Sequence, residues 1–221
     1  VGAELSESMS VDLISFTGGL ETGRKIMQAA SVNMKKIALE LGGKNPNIIF
    51  ADAAFDTAVD QALDGVFYHA GQICSAGTRI IVEESIHDEF VEALVKRVEN
   101  ICLGSGFEEG TEMGPLISAE HLAKVEQYVE HGIQEGATLA VGGSRPTDAH
   151  LQDGFFYLPT VLTNCTTDMD VVQKEGFGPV ITVEKFSTEA EAVRLANDSI
   201  YGLSGGVWSQ DIAKAERVAA Q

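Results

Sequence analysis

Apolar residues recur along the chain in two alternating rhythms. Short runs dense in β-branched and aliphatic residues predict strands over 12–17, 36–40, 47–50, 79–83, 139–141, 157–162 and 180–186. Between them the apolar spacing lengthens to the helical period. One helix is expected over 21–30. A second runs to about 69, capped by Asp52, with Phe55, Val59, Leu63 and Phe67 on one face. A third spans 86–101, with Phe90, Leu94 and Val98 in register, and a fourth spans 119–134. Thr188-Glu189-Ala190-Glu191 is a capping box opening a helix to 197, and Asp211 caps a last helix that is still running at Gln221. Residues 42–46 predict a sharp turn, 71–77 a glycine-bracketed loop and 142–154 a polar loop. Strands that alternate with helices in this way predict an α/β fold.

Composition narrows the class. The chain has 221 residues, 44% hydrophobic and 22% charged, which suits an ordinary globular protein with a real core. No apolar run approaches the roughly 20 residues that span a bilayer, so no membrane partner is expected. A net charge of −18, from 33 acidic and 15 basic residues, opposes binding to nucleic acid. The three cysteines, Cys74, Cys102 and Cys165, form no CxxC pair, which argues against a disulfide framework or zinc site and for a reducing, cytoplasmic setting. The five histidines show no HxxxH or HExxH, so no metal is expected. Val1 is not an initiator Met, and with the helical pattern open at Gln221 this predicts a piece of a longer protein.

Four places have residues suited to chemistry. Cys74 lies between glycines on a small-residue loop, where amides can approach a ligand and a thiol can act as nucleophile. From the loop alone, a buried packing cysteine is the commoner reading. Glu40 ends an apolar strand, where a partly buried carboxylate is a usable general base; an exposed turn acid fits the same residues. Gly18 and Gly19 join a strand to a helix start, the setting of a phosphate site, although their spacing to Gly23 is not GxGxxG and Glu21 opposes an anion. Glu175-Gly176-Phe177-Gly178-Pro179 is either a plain turn or a carboxylate for ribose hydroxyls beside an aromatic ring. Tyr68 and Trp208 are candidate cage aromatics, with packing the default for Trp208.

Taken in order, FTGG (16–19), LELGGKNP (39–46), GQICSAGTR (71–79), EMGP (112–115), EGFGPV (175–180) and NDSIYGL (197–203) resemble the aldehyde dehydrogenase superfamily over essentially all 221 residues. Several stretches are similar to its bacterial betaine aldehyde branch. The resemblance implies a catalytic domain over 42–221, truncated at its C-terminus, preceded at 1–41 by the end of an NAD-binding domain. It implies Cys74 as the nucleophile that forms a thiohemiacetal and then a thioester, and Glu40 as the base for the hydrolytic water. It further implies Glu175 on the nicotinamide ribose with Phe177 near the ring, Gly18 and Gly19 at a coenzyme-side turn, and Tyr68 in the aldehyde tunnel. NAD is the implied coenzyme, with NADP left open, and the implied substrate is betaine aldehyde, oxidised to glycine betaine for osmoprotection.

The implied full-length parent is a homodimer or homotetramer, and the 221 residues alone are expected to be inactive or nearly so. A dehydrogenase for another small or amino aldehyde, a non-catalytic relative and a thiol redox or esterase activity are the alternatives. Two departures stand out. Lys174-Glu175 replaces the family's Glu-Glu, and Gly176 stands where a larger apolar residue is usual, which implies a looser coenzyme loop. Gly19 stands where many relatives have Ser.

Overall fold

A computed structural model describes all 221 residues. Its contacts divide the chain into two compact units, Val1–Gly43 and Lys44–Gln221. No helix is long and apolar enough to cross a membrane.

The first unit holds α1 (Gly2–Glu7), β1 (Leu13–Gly18), α2 (Leu20–Ala30) and β2 (Lys36–Leu41). β1 and β2 are parallel, with Leu13 opposite Lys36 and Gly18 opposite Leu41. Both outer edges of this two-stranded ladder lack a partner strand. Good helix formers fill α2, and Gly23, Ile26 and Ala30 form its buried stripe. A Cβ at Gly23 would lie 2.8 Å from Leu41 Cδ2, so this glycine lets α2 sit against β2. The Lys35 ammonium donates to the Ser6 and Ser8 carbonyls, both at 2.7 Å, which satisfies the open C-terminus of α1.

The second unit is built on a six-stranded sheet. Its strands are β3 (Pro46–Ile49), β4 (Arg79–Glu83), β5 (Thr138–Val141), β6 (Thr160–Thr163), β7 (Val180–Phe186) and β8 (Gly206–Trp208), in the order β5-β6-β7-β4-β3-β8. All neighbours are parallel except β5 and β6. The apolar runs Ile80-Ile81-Val82 and Val180-Ile181 are buried throughout, as parallel strands covered on both faces require. On one face α3 (Phe55–Phe67), α4 (His87–Val98) and α5 (Ala119–Glu135) supply the larger core, where Val59, Phe90, Leu94 and Val125 meet Ile49, Ile80 and Val82. On the other, α7 (Glu189–Asn197) and α8 (Ile212–Ala219) bring Ala192, Leu195 and Val218 onto Ile48, Ile81 and Phe186. The remaining helix, α6 (Asp170–Gln173), is one turn long. A buried pair crosses the sheet: Arg79 Nη2 donates to Glu184 Oε1 at 3.1 Å, Arg79 Nε donates to Glu184 Oε2, and Arg79 Nη1 donates to the Asp198 carbonyl at 3.2 Å.

The expected α/β alternation holds, and 79–83 and 180–186 are strands with the predicted bounds. Thr188 and Asp211 cap their helices as expected, accepting from Glu191 N at 3.2 Å and Lys214 N at 3.1 Å. Other details differ. Asp52 does not cap α3, because its carboxylate is taken by Ser209 Oγ at 2.8 Å and Lys214 Nζ at 3.1 Å. Residues 42–45 run without a turn, neither Gly42 nor Gly43 having positive φ. β6 starts at Thr160 rather than 157, since Pro159 has no N–H for the ladder. The last helix ends at Ala219 instead of running through Gln221.

Candidate active site

Helix α3 stops at Phe67, short of the expected 69, and the chain reverses through a 3₁₀ turn over Tyr68–Gly71. His69 and Ala70 take φ of 51° and 55°, and Gly71 takes 72°. Left-handed backbone at two non-glycine residues is costly and persists only where surroundings enforce it. Here the enforcing contact is backbone against backbone: a Cβ on Gly71 would lie 2.0 Å from the Gly178 carbonyl oxygen. Only glycine fits.

This reversal puts Cys74 on the surface, unlike a buried packing cysteine. The loop is held from beneath. Asn45, 2% exposed, donates from Nδ2 to the Cys74 carbonyl at 2.8 Å and the Ala76 carbonyl at 3.0 Å, and its Oδ1 accepts from Ser204 N at 3.1 Å. Gln72 adds a strut, accepting from Ile117 N at 3.0 Å and donating to the His69 carbonyl at 3.0 Å. The other two thiols differ from Cys74 in setting. Burial pushes the Cys165 thiol up to about 12 and leaves it inert, its Sγ 3.5 Å from the Leu162 carbonyl. Cys102 is exposed, and its N–H donates to Glu112 Oε2 at 2.8 Å.

The segment carrying Glu175 and Phe177 lies across the Gly71–Gly178 contact from the thiol loop. Glu175 is half-buried, and its N–H reaches the Tyr201 hydroxyl at 3.5 Å. Phe177 has φ of 50° and is 39% exposed. The His121 Nε2 donates to the Phe177 carbonyl at 2.6 Å, and the two rings meet edge-on at 6.0 Å. Tyr68 is 63% exposed and opens onto a groove of about 560 Å³ that Asp60, Asp64, Arg97 and Glu112 also line.

Within the first unit, Gly18 ends β1 and Gly19 is the N-cap of α2, accepting from Thr22 and Gly23 N at 3.1 Å each. Glu21 in the first turn is paired with Arg24. Glu40 is the penultimate residue of β2, in register with Thr17, and it is exposed rather than partly buried. Trp208 packs on β8, where its Nε1 donates to Asn47 Oδ1 at 2.8 Å.

One group escaped the sequence reading. His131, Glu135 and Asp170 converge within 4.8 Å, but Lys174 Nζ already lies 2.6 Å from Asp170 Oδ2, giving a surface ion-pair network. Asn45 was also missed as a support. It lies inside LELGGKNP, and an amide next to a strand-opening proline was the available signal.

Comparison with known proteins bears on this arrangement. The chain is 66% identical to the betaine aldehyde dehydrogenase of Bacillus subtilis (strain 168), covering 100% of this chain and 45% of that protein. It is 46% identical both to the chloroplastic betaine aldehyde dehydrogenase of Atriplex hortensis and to the peroxisomal aminoaldehyde dehydrogenase 2 of Pisum sativum, each over 98% of this chain and 43% of the relative. The chain thus spans less than half the length of these relatives. A crystal structure of betaine aldehyde dehydrogenase from Staphylococcus aureus in complex with NAD+ superposes with a TM-score of 0.98 at 61% identity, over 99% of this chain and 43% of that one. With the aldehyde dehydrogenase family model matched from residue 1 to residue 221, the chain belongs to the aldehyde dehydrogenase family.

Proposed function

We propose that this chain is the thiol-bearing part of an NAD-dependent aldehyde dehydrogenase that oxidises betaine aldehyde to glycine betaine. The observation that carries the proposal is an exposed Cys74 whose loop is pinned by a buried amide and abuts the segment bearing Glu175 and Phe177. Cys74 is the nucleophile: its thiolate adds to the aldehyde carbon and the carbonyl oxygen becomes the oxyanion of a thiohemiacetal. NAD, when bound, supplies the hydride acceptor that turns this adduct into a thioester. Glu40 takes a proton from the water that hydrolyses the thioester, releasing the acid and restoring the thiol.

The residues present fit the coenzyme's nicotinamide end. Glu175 offers a half-buried carboxylate for ribose hydroxyls and Phe177 an exposed ring, while Gly18 and Gly19 fit a coenzyme-side turn at the start of α2. NADP is kept as the alternative. Residues 1–41 are read as the end of the coenzyme domain and 42–221 as the catalytic domain. A cationic aldehyde suits the groove beside Tyr68, where Asp64 and Glu112 remain acidic after Asp60 pairs with Arg97. The equal identity to the pea aminoaldehyde enzyme favours, as a second reading, an ω-amino aldehyde in the same groove. Cytoplasmic placement rests on three unpaired cysteines, and assembly as a homodimer or homotetramer on the family.

The test uses full-length enzyme in which these 221 residues replace the matching segment of the Bacillus subtilis relative. NADH formation is followed with betaine aldehyde, an ω-amino aldehyde and a short aliphatic aldehyde, in wild type and Cys74→Ala. Preference for betaine aldehyde, lost in the variant, is the expected result. Preference for the amino aldehyde would replace the substrate, and NADH formation surviving in Cys74→Ala would remove the nucleophile.

A further inference from the structure

Gly176 departs from the usual larger residue, which by itself implies a loose coenzyme loop. The structure gives it another role. A Cβ at Gly176 would lie 2.6 Å from Tyr128 Cε1, and one at Gly178 would lie 2.6 Å from Val125 Cγ2. Both contacts come from α5, whose residues 121, 125 and 128 fall at i, i+4 and i+7 on one face. The same face makes polar contacts. Tyr128 Oη lies 2.6 Å from the Val171 carbonyl and 2.9 Å from the Lys174 carbonyl, and His121 donates to the Phe177 carbonyl at 2.6 Å. The segment from 171 to 178 is therefore clamped by two side chains on one helix, and its glycines let the helix close onto it.

Behind the clamp lies Lys44, 2% exposed, whose Nζ donates to Tyr128 Oη at 3.1 Å. A phenol has one proton to give and two lone pairs to receive. Accepting from Lys44 leaves that proton for the Lys174 or Val171 carbonyl and polarises the O–H, making it a better donor. Burial also raises the Tyr128 phenol well above its usual range, so it stays a donor throughout the working pH range.

We infer that the α5 face of His121, Val125 and Tyr128, backed by Lys44, is the positioning device for the coenzyme: it sets where the Glu175 carboxylate and the Phe177 ring stand. Tyr128 and Gly176 are complementary, the bulk absent from the loop being supplied by the phenol ring. These are positioning residues, touching neither the thiol nor the aldehyde. The inference rests on the reading of Glu175 and Phe177 as coenzyme contacts.

The test uses the full-length enzyme with Tyr128→Phe, which removes only the hydroxyl, and Gly176→Ala, which pushes the segment off the ring while leaving Lys44 and Tyr128 paired. NAD affinity is measured by titration calorimetry, independently of turnover, alongside KM for NAD, kcat at saturating NAD and the rate of Cys74 alkylation by iodoacetamide. Both variants are expected to weaken NAD binding about tenfold, the equivalent of one buried hydrogen bond. The alkylation rate and kcat should stay within about twofold. Unchanged NAD affinity in folded Tyr128→Phe would overturn the inference, as would a loss of NAD affinity that merely parallels loss of alkylation rate and melting temperature. If Tyr128→Phe does not fold, Gly176→Ala decides on the same split. A wild type that binds no NAD overturns both this inference and the coenzyme reading. NAD binding that shows the split, with turnover of some other aldehyde, supports the inference and discards only betaine aldehyde.

Discussion

The loop of Cys74 and the segment of Glu175 meet at one point, Gly71 against Gly178, yet they are held by opposite means. The thiol loop is fixed through its own carbonyls, gripped by a buried amide, Asn45, and by left-handed residues at its entry, of which Ala70 is buried in the core. The Glu175 segment is fixed from outside, by side chains of α5 reaching its carbonyls. Adjacent residues at the entry to β3 serve the two: Lys44 backs the α5 clamp and Asn45 holds the thiol loop. In both cases the backbone is restrained, leaving the Cys74 thiol and the Phe177 ring exposed. Restrained carbonyls beneath exposed side chains allow a site to be positioned without occupying its reactive groups.

The harshest test of this comparison is Gly71→Ala. An added Cβ meets backbone at 2.0 Å while φ stays at 72°, so a loss above about 4 kcal/mol or failure to fold is expected in chemical denaturation. A cost under about 1 kcal/mol would mean the two loops part easily and are not one unit.

Lys44→Met comes next, and its effect depends on pH. Burial, foremost, and then Arg79 lower the Lys44 ammonium to about 7, against the opposing pull of Cys165, Glu184 and Glu175. Between about 7 and the ordinary 10.5 the unfolded chain binds a proton that the folded chain does not, so wild-type stability should rise with pH across that window. The full span is on the order of 5 kcal/mol. Denaturation midpoints measured at pH 6.5 and 9.5 should converge in Lys44→Met, and an unchanged slope would show that Lys44 is not the source.

Asn45→Ala should cost about 2 kcal/mol, because two carbonyls and an N–H lose their partner, and should alter the alkylation rate of Cys74 without moving NAD affinity. Equal losses in both readouts would break the division of labour between Lys44 and Asn45. In unmodified protein, iodoacetamide should label Cys74 and Cys102 and reach Cys165 only after unfolding, since a thiol raised from 9 to about 12 has roughly 10³-fold less thiolate. The smallest effect is expected from Gly19→Ser, within about 0.5 kcal/mol, since φ is −71°, no atom lies within 4 Å of its Cβ, and Ser is a good N-cap.

How much of this was legible in the sequence follows from the range of the forces involved. Buried parallel strands such as β4 and β7 announce themselves by apolar runs, and α7 by its capping box, because these signals are local. β8 did not, being three residues long and opening on one glycine just after another. Asp52 was misread because its partners, Ser209 and Lys214, lie more than 150 residues away and outbid the local cap. The exposed Cys74 could not be distinguished from a packing cysteine by its neighbours alone; the motif set argued for it, and the Gly71–Gly178 contact explains it. The residues around Glu40 fit either a partly buried base or an exposed turn acid; β2 alternates exposed and half-buried positions, and Glu40 falls on the exposed set. The Lys44–Tyr128 link joins residues 84 apart, beyond the reach of any periodicity.

The ladder of β1 and β2 has a consequence for anyone handling these 221 residues. Its two outer edges are a template on which a further strand can add from either side. Neither strand contains a proline, and the glycine ending β1 does little to discourage pairing. A strand added there is held by main-chain pairing rather than charge, so its attachment should resist salt. A lysine placed at an outward position of β1, such as Ser15→Lys, is the simplest remedy.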